Sequence, residues 1–436
     1  MTARLRKLID DIAGAFWLVP AALVVFGIGG AFALIWVDRR VAVPEWLLDD
    51  WLYNGGATGA RTLLGAVASS TIGVAGTIFS ITIAALSLAA GQMGPRLLHN
   101  FTRDRGNQVT LGVYLGTFCY ALVILRSVRT PDEGAFIPHL SISLAIALAF
   151  VCVAMLVYFV GHMSERINVD TVIELVSADV HEMLLTLTSE DRQSQPPPLN
   201  FWCDAVPIAD SRQGYLLHLD ENALAAWASE RKVAIRLLVG PGDHVFPGAP
   251  VAVVKPSCEG VDEAIRNATA LGPQQVTSAD LRFAVRQLVE VAVRALSPGI
   301  NDPHTAMTVL NRLGTALCQM APLRLQTGVW IMDEKIALVV PHVRYQDLVE
   351  EMFQLIRHSA AGNPAVLSHM ITVMTHVVSC ERDPMRMDSI RAHADLVLET
   401  AERHVLSPSD LDGVRRCHRD FVDMVAHGPL GQFQRR

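Results

Sequence analysis

Residues 62–95, TLLGAVASSTIGVAGTIFSITIAALSLAAGQMGP, run for 34 positions between Arg61 and Arg96 without one acidic or basic side chain. A helix needs about 20 apolar residues to cross the hydrocarbon core of a bilayer, so this stretch makes the chain a membrane protein. It is longer than one crossing requires, which predicts a helix that projects past the bilayer until Gly94-Pro95 stops it. Steps of three and four from Ser70 pick out Ser70, Gly73, Thr77, Ser80, Ala84, Ser87 and Gly91, all small, with hydroxyls on four. Ile72, Phe79, Leu86 and Met93 lie away from that stripe. One reading is close helix packing, because small residues let backbones approach where lipid supplies no hydrophobic drive. The other is a hydroxyl-lined permeation path built from several copies around an axis. Packing between subunits would satisfy both.

Three further runs fit the same length rule, giving spans at about 16–37, 64–90, 107–125 and 139–161. Arg4, Arg6 and Lys7 precede the first like the basic region of a leader. The apolar run that follows is too long for one, and it reads as a retained helix. Trp17, Trp36, Trp46 and Trp51 fall near the ends of that helix and in the loop after it, as interfacial aromatics do. An even number of spans puts both termini on one side. Arg96, Arg103, Arg105 and Arg166 join the N-terminal cations on that side, against Arg39, Arg40, Arg61, Arg126 and Arg129 on the other. The inward bias predicts cytoplasmic termini.

Composition agrees with this division. The chain is 51% hydrophobic with mean hydropathy +0.32, and the excess sits in the N-terminal third. A net charge of -7 supplies no basic footprint for nucleic acid. The seven cysteines form no CxxC and no His/Cys ligand spacing, which favours free thiols in a reducing compartment over disulfides or a metal.

Beyond the spans, residues 166–200 are expected to be a connecting helix and a linker ending in Pro196-Pro197-Pro198. Residues 201–258 read as a small β-containing module, with strands at 215–219, 233–239 and 251–254. A helix over 221–231 starts after Asp220. Gly240-Pro241-Gly242-Asp243 is turn chemistry between strands. It is similar to the hairpin of biotinyl- or lipoyl-type domains, but Lys255 stands beside Pro256 and not at a hairpin tip, so no carrier function follows. Residues 259–436 read as mainly helical, interrupted by a strand pair near 328–340 around Asp333-Glu334. The expected fold is therefore an α-helical membrane protein: four transmembrane helices, then an α+β cytoplasmic region with a β-hairpin module and a helical bundle.

One turn in the helical part concentrates polar chemistry. Arg282, Arg286, Glu290 and Arg294 recur along a helix that ends in Leu296-Ser297-Pro298-Gly299-Ile300-Asn301-Asp302-Pro303-His304. Asp302-Pro303 is an N-cap followed by proline at the first helical position, so the bland reading is a rigid corner. The alternative is a ligand or enzyme site using Arg294, Asn301, Asp302 and His304, through an anion at the helix start or an Asp/Asn/His cluster that holds a metal or moves protons. No second ligand group sits at a recognisable spacing. No catalytic residues, metal or cofactor are expected, because neither a Gly-x-Ser-x-Gly nor a zinc-protease helix is present.

Two segments resemble a bacterial family of predicted membrane proteins, a domain of unknown function. One runs from Thr77-Ile78-Phe79-Ser80-Ile81-Thr82 through Gly94-Pro95-Arg96 to Asp104-Arg105-Gly106-Asn107-Gln108. The other is Arg294-Ala295-Leu296-Ser297-Pro298-Gly299-Ile300-Asn301-Asp302-Pro303. The resemblance implies a bacterial inner-membrane location and brings no catalytic or binding residues. The functional expectation is an oligomeric channel-like or transport-related assembly, its cytoplasmic part a vestibule or regulator. The alternative is a membrane-anchored sensor or scaffold that binds a cytoplasmic partner. Expected partners are the lipid bilayer, further copies of the chain, and a cytoplasmic partner or small ligand.

Overall fold

The computed structural model describes residues 16–40, 52–93, 104–129, 136–189, 196–273 and 281–433. Gly94-Pro95, Arg96, Arg103, Trp46, Trp51 and the N-terminal cations lie outside the described residues. The chain divides into a membrane unit and a C-terminal unit that begins at Val169.

Four helices in the membrane unit are long and apolar enough to cross a bilayer: α1 Leu18–Arg40, α2 Ala57–Met93, α3 Arg105–Ser127 and α4 His139–Ile167. At 1.5 Å per residue α2 is about 55 Å long, well beyond a hydrocarbon core of about 30 Å. α3 is the most enclosed of the four. It meets α1 at glycines, where a Cβ on Gly27 would stand 2.6 Å from the Gly116 carbonyl oxygen. One on Gly116 would stand 2.9 Å from that of Leu23. α3 meets α4 through hydroxyls, since Tyr114 donates to the Cys152 carbonyl at 2.6 Å and Tyr120 to that of Ser141 at 2.9 Å. α2 turns Ala60, Leu64, Ala68, Thr71, Ala75 and Ile78 inward at steps of three and four, and Ala85 two turns further on. These join two apolar clusters, one around Tyr120, Ile124 and Ile142, the other around Tyr114, Phe159 and Met163.

The C-terminal unit opens with α5 Val169–Leu187, whose buried Val172, Ile173, Val176, Val180 and Leu184 make one face. That face packs on α8 Leu281–Ala295 and α9 Pro303–Met320. A two-residue strand, β1 Thr188–Ser189, pairs with β8 Arg324–Leu325. The module that follows contains β2 Val206–Ala209, β3 Gly214–Leu219, α6 Glu221–Glu230, β4 Ala234–Leu237, β5 His244–Val245, β6 Pro250–Lys255, α7 Val261–Ala268 and β7 Thr269–Gly272. The strand pair around Asp333-Glu334 is β9 Val329–Met332 and β10 Lys335–Val339. Both turn residues have positive φ, 49° and 59°, as a tight hairpin turn demands.

The sheets are less local than the sequence suggests. β9 and β10 complete a five-stranded sheet in the order β2-β6-β4-β10-β9, where β10 lies parallel to β4 and every other pair is antiparallel. The two glycine turns of residues 240–248 do not close a simple hairpin. They bracket β5, which leaves that sheet and pairs with β3 in a three-stranded sheet, β5-β3-β7. β7 also interrupts a stretch expected to be helical, because Thr269–Gly272 pairs along β3. Ile235, Val251, Ala252, Val254 and Leu338 form the core beneath α6 and α7.

The remaining bundle contains α8, α9, α10 Tyr345–Ser359, α11 Pro364–Cys380, α12 Pro384–His404 and α13 Pro408–Phe433. Three of these helices start alike. Asp302, Asn363 and Asp383 each cap with a side-chain oxygen, and proline occupies the first turn. Proline's missing N–H costs nothing there, and its fixed φ suits the helix. Leu313, Leu317, Phe353, Met370, Met374 and Phe421 are fully buried. α13 kinks at Gly428, which has a φ of 64° just before Pro429.

Candidate functional site

Ser70, Gly73, Thr77, Ser80, Ser87 and Gly91 are all exposed on α2. At about 100° per residue the stripe lies opposite the face made by Ala68, Thr71, Ala75 and Ile78, so among the described residues it takes no part in packing within the membrane unit. The hydroxyls of Ser70, Thr77 and Ser80 turn back onto carbonyls of their own helix, at 3.1, 3.2 and 2.9 Å. Around Gly73 and Gly91 there is open space where a Cβ would stand. At Ser70, Thr77 and Ser80 the stripe thus presents small side chains with locally satisfied hydroxyls.

Close packing inside the unit belongs to residues that the sequence reading did not single out. Gly112-x-x-x-Gly116 on α3 sits against Pro20, Leu23 and Gly27 of α1. That pattern is a legible membrane-packing signal. Polar seams mark both ends of α4. At its start, Asp38 accepts from the Leu140 and Ser141 amides, each at 3.1 Å, and from the Ser141 hydroxyl at 2.6 Å. Near its other end His162 meets the Asp104 carboxylate at 2.6 Å, while Asp104 also caps α3 through the Gly106 amide. Gly106 leaves room for this, since a Cβ there would collide with His162 and the Tyr158 hydroxyl.

At the corner before α9 the named residues do not converge. The Asp302 carboxylate accepts from the Thr305 amide at 3.1 Å and from its hydroxyl at 2.6 Å. These bonds hold its pKa below the ordinary carboxylate value. Asn301 is exposed with a φ of 48°, a left-handed position that asparagine tolerates. His304 is exposed, and Arg294 pairs with Glu290 at 3.4 Å. Arg286 of the same helix makes a two-point pair with Glu351. Among the described residues no three His, Cys, Asp or Glu side chains come together to hold a metal.

Two other places in the C-terminal unit gather polar chemistry. A groove of about 330 Å³ opens between α6 and α7, with Glu259, Glu263 and Asn267 on one wall and Arg231 over the Trp227 ring at 5.4 Å on the other. The second is the corner where α11 passes to α12. Glu381, 1% exposed, accepts from the amides of Arg382 and Asp383 through one oxygen, and its other oxygen is 3.6 Å from Arg386. Arg386 donates to the Met320 and Leu323 carbonyls and covers the Tyr345 ring. Burial, then the Glu381 charge, raises the pKa of the Tyr345 phenol. The Cys318 sulfur lies beside this corner, 4.0 Å from the His376 carbonyl, and burial raises its pKa to about 11.

Comparison with known proteins places the chain without assigning chemistry. The predicted membrane protein family DUF2254 matches residues 13–376. Uncharacterized proteins of Mycobacterium tuberculosis and Mycobacterium bovis are 30% identical over 425 residues, covering 94% of this chain and 80% of theirs. No solved structure matches. The four apolar helices, the α+β region behind them and this match across most of the sequence lead to one conclusion: the chain belongs to the DUF2254 family of predicted membrane proteins.

Proposed function

We propose that the chain is a subunit of a homo-oligomeric, channel-like or transport-related assembly of the bacterial inner membrane, in which the α2 stripes of neighbouring copies face a common axis. The carrying observation is that the stripe lies opposite the packed face of α2 and is left uncovered by the other three membrane helices. Small residues at a membrane helix surface favour close contact with another helix. Hydroxyls lining an axis can replace part of a solute's water without imposing a charge. In this reading both termini are cytoplasmic, and the C-terminal unit is a vestibule or regulatory part. The open groove beside Trp227 offers it a place for a small ligand.

The test is conductance of the purified full chain in planar bilayers, under voltage and under tension. Wild type should conduct. Ser80→Leu should abolish the current by placing a bulky apolar group mid-span, whereas Phe79→Leu should leave it intact. Wild-type protein that assembles yet never conducts would refute the channel and favour an anchored scaffold or sensor.

A further inference from the structure

The groove between α6 and α7 presents charges that the protein leaves unpaired. The two helices run antiparallel, since the Asp220 amide that opens α6 donates to the Ala268 carbonyl at the end of α7, at 2.8 Å. Trp227 and Arg231, at the end of α6, therefore stand across from Glu259 and Glu263, at the start of α7. Asp262 of the same turn is taken by Arg266. Glu259 and Glu263 are exposed, and among the described residues no cation pairs with either carboxylate. The Arg231 guanidinium has the Trp227 ring as its partner, 5.4 Å away, and pairs with no acid. Leu224 and Ala264 form an apolar floor beneath these charges. Small residues keep the groove open: at Gly260, with a φ of 82°, a Cβ would meet nothing within 4 Å. Its volume of about 330 Å³ falls within the about 300–1,000 Å³ of small-ligand sites.

We propose that this groove binds a free basic amino acid, a ligand with two cationic groups and one carboxylate. The proposal rests on the reading of the C-terminal unit as the regulatory part of the assembly, and it names the ligand. Charge complementarity carries it. The walls hold two negative charges and one positive, and a basic amino acid carries the reverse. Its carboxylate pairs with Arg231, whose guanidinium can grip both oxygens. Its α-ammonium and side-chain cation pair with Glu259 and Glu263, and its methylene stem covers Leu224 and Ala264. The Trp227 ring, which already takes a guanidinium against its face, favours a second cation brought between the walls. An acidic amino acid would meet like charge on the α7 wall. A diamine without a carboxylate would leave Arg231 unpaired.

Isothermal titration of the purified full chain in detergent tests this with three probes: L-arginine, its decarboxylated analogue agmatine, and L-glutamate. Wild type should bind L-arginine, agmatine about tenfold more weakly, and L-glutamate not detectably. Glu263→Gln should weaken L-arginine about tenfold, as loss of a charge-assisted bond does. Arg231→Gln should weaken L-arginine similarly and leave agmatine no weaker, so the two probes converge. Both side chains are exposed, and thermal unfolding checks that each variant is folded. No heat from L-arginine in the millimolar range would overturn the proposal, as would L-glutamate or agmatine binding as well as L-arginine. Unchanged L-arginine binding in a folded Glu259→Gln, Glu263→Gln chain would overturn it too, by placing the ligand elsewhere. The probe comparison needs wild type alone, so a misfolded variant would not rescue the idea. The titration reads binding and not current. A chain that binds L-arginine yet never conducts would keep this site and lose the channel; one that conducts without binding would do the opposite.

Discussion

Asp302 illustrates how one side chain can be read from its neighbours alone. An Asx-Pro pair announces a helix start, and the carboxylate caps α9 through both the amide and the hydroxyl of Thr305. Replacing it by asparagine, which caps as well, should be mild. Asp302→Ala should cost about 1 kcal/mol, and His304→Ala should leave thermal unfolding unchanged. Because the folded pKa is lowered, the ionised cap contributes fully above the ordinary carboxylate value of 3.8. It is lost as pH falls through the lowered value, so Asp302→Ala and wild type should converge in strong acid. Equal loss of activity in Asp302→Asn and His304→Ala, with folding intact, would make the corner a chemical site. The Asp104–His162 contact was not legible in the same way. Its partners stand 58 positions apart, and only packing of α3 on α4 brings them to 2.6 Å.

Among the elements, the four spans were legible because composition alone distinguishes a lipid-crossing helix from any other. The β9–β10 hairpin was legible because its turn is local. The parallel contact of β10 with β4 was not, since residues 335–339 meet residues 234–237 with no turn between them to signal the pairing. Glycine shows the same contrast between neighbouring helices. On α3 it permits backbone contact with α1, so Gly116→Ala would drive a methyl into the Leu23 carbonyl, a collision of backbone with backbone that neither helix can absorb without shifting. Thermal stability in detergent should fall by about 1–3 kcal/mol, as overpacking does. On α2 the space at Gly73 is open, and Gly73→Ala should leave the stability of an isolated chain unchanged or slightly raised. If the two substitutions cost the same, the assignment of intramolecular packing to α3 is wrong.

For the whole molecule, the membrane unit satisfies its own packing with α1, α3, α4 and one face of α2. The opposite face of α2 carries the small-residue stripe, and the proposal is that another copy covers it. Cysteine cross-linking in native membranes tests this most directly, with the native cysteines replaced and single cysteines placed at Thr77, Ser80 or Phe79. All three positions are exposed, but only the first two lie on the stripe. Covalent dimers are expected from Thr77→Cys and Ser80→Cys and far fewer from Phe79→Cys. Chains that stay monomeric at both stripe positions, or that cross-link equally at all three, would contradict it.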